Sequence, residues 1–89
     1  MDITKNMIQT GTLIDVRTQD EWDEGFFEGA IHIPLDILHT KVDDIDAMTR
    51  PLILYCRSGN RSGQAVQFLE NNGLDDCFNG VNQEHLESF

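Results

Sequence analysis

The run Leu52-Ile53-Leu54-Tyr55 constrains the fold more than any other stretch of this chain. Its apolar residues follow Arg50-Pro51 and give way at once to a small, polar segment, so no polar face is left to turn towards solvent. A strand of that kind is buried on both sides, as in parallel sheets covered by helices. The rest of the chain supplies helices and strands in alternation. Leu13-Ile14-Asp15-Val16 reads as a first strand, and Thr18 or Asp20 offers an N-cap for a short acidic helix over residues 21–24, closed by Gly25. Residues 29–33 read as a second strand stopped by Pro34. Asp36 opens a helical stretch with Ile37, Leu38, Val42 and Ile45 at helical spacing, which Arg50-Pro51 ends. Ser62 is the expected cap of the next helix, whose apolar face is Ala65, Val66, Phe68 and Leu69 and whose stop is Asn71-Asn72-Gly73. Cys77-Phe78 is the expected last strand, and residues 83–88 a final helix. The expected fold class is α/β with a largely parallel sheet.

At 89 residues the chain is long enough for one modest core, and a single domain over residues 1–89 is expected. Apolar residues at 39% and charged residues at 25% exclude collagen-like, low-complexity and wholly disordered chains. No apolar stretch is long enough to span a bilayer. The start, Met1-Asp2-Ile3-Thr4-Lys5, lacks the basic residues and apolar run of a signal peptide, so a cytoplasmic protein is expected; a processed, periplasmic chain is the alternative. A net charge of −10 argues against nucleic acid or an anionic membrane as partner, because both are bound through clustered Lys and Arg. Cys56 and Cys77 form no C-x-x-C and no Cys/His set at zinc spacing, so neither metal nor cofactor is expected. Cys77 reads as a small buried hydrophobe.

Cys56 does not. From Ala47 to Leu69 this acidic chain carries no Asp or Glu, yet it places Arg57 and Arg61 beside the cysteine. Cys56 opens the loop at the carboxyl end of the buried strand, where open α/β sheets bind their ligands. The helix that follows offers unpaired N–H groups and the positive end of its dipole. Gly59 lets the intervening loop curl so that successive N–H groups point inward at an anion. Two cations and a ring of N–H groups favour thiolate over thiol. The expectation is a nucleophilic thiolate in an oxyanion cradle, acting on thiosulfate sulfur, a phosphate ester or arsenate. A Cys–His dyad is the rival arrangement, but His32, His39 and His85 all lie far from Cys56 in sequence and read as surface or strand-end residues.

The segment Cys56-Arg57-Ser58-Gly59-Asn60-Arg61-Ser62 resembles the active-site loop of the rhodanese (sulfurtransferase) family, C-R-x-G-x-R-S. A second match lies upstream: Leu13 to Arg17, Glu21-Trp22, Gly25, and Gly29 to Pro34 are similar to that family's D-V-R…E-[WFY]…G-H-I-x-G-A-x-x-I-P signature. The resemblance implies a three-layer α/β/α domain with a mainly parallel sheet of about five short strands. It further implies sulfur transfer from thiosulfate to cyanide, a thiol or a protein cysteine through a persulfide on Cys56. In that scheme Arg57, Ser58, Gly59, Asn60 and Arg61 bind the substrate. Asp15 and Arg17 brace the site, with Glu21 as Arg17's expected partner, while Ser62 supports the loop as a cap and Trp22 packs in the core. A monomer is expected.

The chain departs from the family at two places. Phe26 stands where the signature has His, and the usual Gly-Gly-apolar-x-x-Trp ending is replaced by Val81-Asn82-Gln83-Glu84-His85-Leu86. Related phosphatases and arsenate reductases share a Cys…Arg loop and are the enzymatic alternative. The phosphatase loop is one residue longer between Cys and Arg than the residues 57–60 that intervene here, which favours sulfur over phosphate. A persulfide carrier or an interaction module without thiosulfate turnover is the remaining alternative.

Overall fold

The structure is a computed structural model and describes residues 3–89. Met1 and Asp2, the first residues of the segment read for a leader, lie outside the described residues. Strands β1 (Thr12–Asp15), β2 (Ile31–His32), β3 (Leu52–Cys56) and β4 (Cys77–Asn82) form one sheet in the order β2-β1-β3-β4, and every pairing is parallel. The described residues thus form four strands, close to the expected count of about five.

Strand β3 is buried at every position, and its side chains alternate between two cores, as the period of a strand requires. Leu52, Leu54 and Cys56 face one core together with Ile14, Leu38, Ile45, Ala65 and Leu69. Ile53 and Tyr55 face the other with Leu13 and Leu86, where Met7, Ile8 and Phe27 pack against them. Helices α3 (Val42–Asp46) and α4 (Asn60–Asn71) and a 3-10 turn over Leu35–Thr40 therefore cover one face. Helices α1 (Lys5–Thr10) and α5 (Gln83–Glu87) cover the other. This is the expected three-layer α/β/α arrangement.

Several elements differ in extent from the sequence reading. The helical stretch after Asp36 breaks into the 3-10 turn and α3 at Lys41, which caps α3 without a side-chain hydrogen bond. Strand β2 is only two residues long; beyond it the Ile33 N–H still bonds to the Asp15 C=O, and the Leu35 N–H to the C=O of Val16 just past β1. Helix α1 has no counterpart in the sequence reading. Its cap is Thr4, whose hydroxyl accepts from the Met7 N–H.

Trp22 is a correction. It lies on α2 (Gln19–Asp23), a helix with no buried residue, and it is half-buried rather than part of the core. Its indole stacks on Phe26 at 3.8 Å and on His32 at 4.7 Å between ring centres. A five-residue helix at the carboxyl rim of the sheet has no apolar face to present to either core. The aromatic rings bury one another instead.

Candidate functional site

The site is built where β3 hands over to α4. Gly59 is the N-cap of α4, at φ +95°, and it has no side chain to satisfy the first-turn N–H groups. The Cys56 sulfur does so in its place. It accepts from the Gly59 N–H at 3.1 Å and from the Ser62 N–H at 3.4 Å, and it lies 3.3 Å from the Ser62 hydroxyl. A sulfur that caps a helix is favoured as an anion by the aligned peptide dipoles behind those N–H groups. Burial pushes the Cys56 thiol up, but the Ser62 hydroxyl and the N–H groups of Ser62, Gly59 and Ser58 outweigh it, so the thiol sits below its ordinary value. Cys77 lacks such donors, and burial raises it.

The bulge in β4 holds this loop. The pairing of β3 with β4 shifts after Leu54–Asn79 so that Tyr55 faces Val81, leaving Gly80 as the extra residue. A Cβ on Gly80 would stand 2.9 Å from Ile53 Cγ2, so the close approach of the two strands requires glycine. Val81 is at φ +68°, a conformation β-branched residues seldom adopt. It lies against Gly59, where an added Cβ would meet Val81 Cγ1 at 3.2 Å.

Asp15 and Arg17, expected as braces, pair with each other. The Asp15 carboxylate is fully buried and accepts from Arg17 Nε at 2.9 Å, from Arg17 Nη2 at 2.7 Å and from the Arg17 N–H at 2.9 Å. Arg17 Nη2 also donates to the Gly25 carbonyl at 2.7 Å, tying the end of α2 to β1. Its guanidinium lies over the Tyr55 ring. Burial, reinforced by the Asp15 charge, pushes the Tyr55 hydroxyl up to about 12, so Tyr55 stays neutral and accepts from the Phe27 N–H.

Glu21 is therefore not Arg17's partner. Its carboxylate takes Arg61 in a two-pronged pair, Nη1–Oε1 at 2.7 Å and Nη2–Oε2 at 3.0 Å, and Arg57 Nε lies 3.4 Å from Oε2. The sequence reading counted two cations beside Cys56 without a partner for either. The structure gives two arginines sharing one carboxylate, with Arg57 the more exposed and also near Glu24. The Arg61 guanidinium, aided by the Thr18 capping bonds, holds the Glu21 carboxyl down at about 2, below its ordinary 4.5. A depressed carboxylate adds stability that is complete above its unfolded value and is lost as pH falls through the folded one. Between pH 4.5 and about 2, Glu21→Gln should lose less stability than the parent on acidification. Thermal unfolding against pH tests this, and parallel profiles for the two proteins would contradict it.

Ser62 is also corrected. Helix α4 begins at Asn60, so Ser62 lies in its first turn, fully buried, and its hydroxyl is directed to Cys56 and to Asn79 Oδ1 at 2.7 Å instead of capping the helix. Ser58 and Asn60 are exposed at the loop's outer side, where the Ser58 hydroxyl accepts from the Asn60 N–H. Asn79 was missed altogether. A polar, strand-averse residue set between Cys77-Phe78 and Gly80 was the signal that could have drawn attention to it.

His32 is committed elsewhere, with its Nε2 at 2.9 Å from the Arg17 carbonyl. Among the described residues no group of three or more His, Cys, Asp or Glu could hold a metal ion, and no helix is long and apolar enough to cross a membrane. A groove of about 740 Å³, lined among others by Ile8, Thr12, Phe27, Ile31, Leu86 and Phe89, lies towards the opposite end of β1 and does not include Cys56.

A parallel three-layer sheet whose central strand ends in a cysteine ringed by loop N–H groups defines an α/β domain with a cysteine-centred anion loop. The chain belongs to the rhodanese-like domain family, which it matches over residues 1–81. Among curated proteins it is 40% identical over 67 residues to the uncharacterized protein YqhL of Bacillus subtilis, covering 75% of this chain and 52% of that one. It is 33% identical over 67 residues to a sulfurtransferase of Allochromatium vinosum, covering 75% of this chain and 62% of that one. Both relatives thus extend well beyond the part this chain matches. Among solved structures, the human single-domain sulfurtransferase TSTD1 superposes with a TM-score of 0.73 at 26% identity, over 92% of this chain and 86% of that one. A rhodanese with anions from E. coli gives 0.73 at 27% identity, over 83% and 88%. A rhodanese-related protein of Thermoplasma volcanium gives 0.77 at 30%, over 93% and 83%.

Proposed function

We propose that residues 1–89 act as one rhodanese-like domain. It moves the sulfane sulfur of thiosulfate, or of a related persulfide donor, to cyanide or a thiol acceptor through a persulfide on Cys56. The observation that carries this reading is the sulfur's place as the cap of α4, held by the Gly59 and Ser62 N–H groups and lowered below its ordinary thiol value. A nucleophile ionised by its surroundings needs no separate base. In the first step the Cys56 thiolate attacks the outer sulfur of thiosulfate. A new S–S bond forms as the old one breaks, and sulfite leaves with the electron pair. In the second step the acceptor attacks the outer sulfur of the persulfide, and Cys56 leaves as thiolate. This exchange through a covalent intermediate gives ping-pong kinetics.

Arg57, at the exposed rim, meets the donor's oxygens through charge-assisted hydrogen bonds. Arg61 anchors the loop to α2 through Glu21 and offers its remaining N–H groups to the same oxygens. Ser58, Gly59 and Asn60 contribute the loop backbone. The relatives named as sulfurtransferases, and the solved rhodanese with anions, support the same chemistry.

Loop length discriminates the phosphate-ester reading. Only residues 57–60 stand between Cys56 and Arg61, one fewer than in the phosphatase loop. The test is steady-state turnover with thiosulfate and cyanide beside turnover of an aryl phosphate. Sulfur transfer with parallel double-reciprocal lines is expected, and one residue inserted into the loop should shift activity towards phosphate. A wild-type phosphatase rate equal to the sulfur-transfer rate would contradict the reading.

A further inference from the structure

The Ser62 hydroxyl has one proton and two claimants. The amide of Asn79 cannot be turned to relieve this, because both its ends are fixed by backbone. Its Nδ2 donates to the Gly59 carbonyl at 2.9 Å, and its Oδ1 accepts from the Val81 N–H at 2.9 Å. Exchanging oxygen for nitrogen would set donor against donor at Val81 and acceptor against acceptor at Gly59. The atom that faces Ser62 is therefore an acceptor, 2.7 Å from the hydroxyl oxygen. On its other side the same hydroxyl meets the Cys56 sulfur at 3.3 Å.

While Cys56 is a thiol, every group is satisfied: S–H donates to the Ser62 oxygen, and Ser62 donates to Asn79. Once Cys56 is a thiolate it can only accept. The hydroxyl must then either turn its proton to sulfur and leave Asn79 Oδ1 with the Val81 N–H alone, or present its lone pairs to an anion. We propose that Asn79 is a positioning residue for the nucleophile: its fixed amide oxygen competes with the Cys56 sulfur for the Ser62 proton, and the hydroxyl turns from Asn79 to sulfur as Cys56 ionises. The bulge at Gly80 places Asn79 for this task, since across it the Val81 N–H, two residues on, turns back to the amide oxygen and locks it. The proposal rests on the reading of Cys56 as the nucleophile.

The consequence is a thiol held less acidic than its N–H donors alone would make it. Losing the competitor is worth about one ordinary hydrogen bond, or roughly 0.4 to 1 pH unit in the midpoint of Cys56 ionisation. Because Asn79 is itself exposed on its outer side, the lower end of that range is expected. The titratable and charged groups around the loop include Asp15 at the end of β1, Arg17 just after it, Glu21 on α2, His32 on β2, Arg57 in the loop and Arg61 on α4. All keep their partners in the variants below.

The test is the pH profile of iodoacetamide alkylation, read at Cys56 by peptide mass spectrometry. It is run on the parent, Asn79→Ala, Asn79→Asp, Ser62→Ala and the two double variants, with thermal unfolding as the folding control. Both Asn79 variants lose the bond to Gly59, so its loss cancels when each is compared with and without the Ser62→Ala substitution. With Ser62 present, and relative to the same change made beside Ser62→Ala, Asn79→Ala should lower the midpoint, giving roughly threefold more labelling below it. Asn79→Asp, which holds the hydroxyl proton harder, should raise the midpoint. Each variant gives its own result should the other fail to fold, and Ser62→Thr, which keeps the hydroxyl, should restore the dependence on Asn79. Shifts that are the same in both backgrounds would overturn the proposal. No labelling at Cys56 at any pH, with labelling elsewhere, would instead overturn the reading of Cys56 as nucleophile.

Discussion

Cys56→Ser should abolish sulfur transfer from thiosulfate to cyanide and leave the fold in place. Serine fits the space of the thiol and accepts from the same Gly59 and Ser62 N–H groups, so α4 keeps its cap. What it cannot do is ionise near neutral pH or carry a sulfane sulfur. Cys77→Ser should retain activity. Cys77 pairs with Leu52 at one end of β3, whereas Cys56 is at the other, about 13 Å away at the usual rise per residue. Its thiol is buried and raised, with none of the donors that serve Cys56. Rates with thiosulfate and cyanide, beside far-ultraviolet dichroism, separate the cases. An active Cys56→Ser protein, or a folded and inactive Cys77→Ser protein, would contradict the assignment.

Asp15→Ala should cost the protein much of its stability. Asp15 is fully buried and Arg17 nearly so, and the carboxylate holds both the guanidinium and the Arg17 N–H. Removing one partner of a buried pair leaves an unpaired charge behind, at a cost of about 3–5 kcal/mol. Small domains are stable by only about 5–15 kcal/mol, so much of the total would be lost. The damage should also reach the site, because Arg17 ties the Gly25 carbonyl and with it the end of the helix that carries Glu21. Urea unfolding should show a lower midpoint at unchanged slope. A loss below about 1 kcal/mol, the scale of an exposed ion pair, would mean that the pair is not the brace described above.

The parts of this molecule that were legible in the sequence are those whose cause is local. An unbroken apolar run, a glycine able to take positive φ and an apolar helix face within one segment gave β3, the loop and α4. The acidic helix was legible as well, but its cap was left open between Thr18 and Asp20; the reciprocal bonds of Thr18 and Glu21 start it at Gln19, two residues before the expected Glu21. Choices of partner across the chain were not. Glu21 has two arginines within reach, and only the folded sheet decides that Arg61, 40 positions away, takes it while Arg17 turns to Asp15. Ser62 looked like a cap because serine commonly is one. The cap is instead the Cys56 sulfur, which frees the hydroxyl to meet Asn79 from 17 positions along the chain. Trp22 was assigned to the core because a lone Trp on a short amphipathic helix usually packs inward, but the rim position of α2 decides its exposure, and that follows from topology.

The central claim is that Cys56 carries the transferred sulfur. Intact-protein mass spectrometry after incubation of the reduced protein with thiosulfate tests it most directly, with Cys56→Ser as control and cyanide as chase. The account predicts one added sulfur atom on the parent, none on the variant, and its removal by cyanide. An added sulfur that persists in Cys56→Ser, or none on a parent whose thiols are fully reduced, would contradict it.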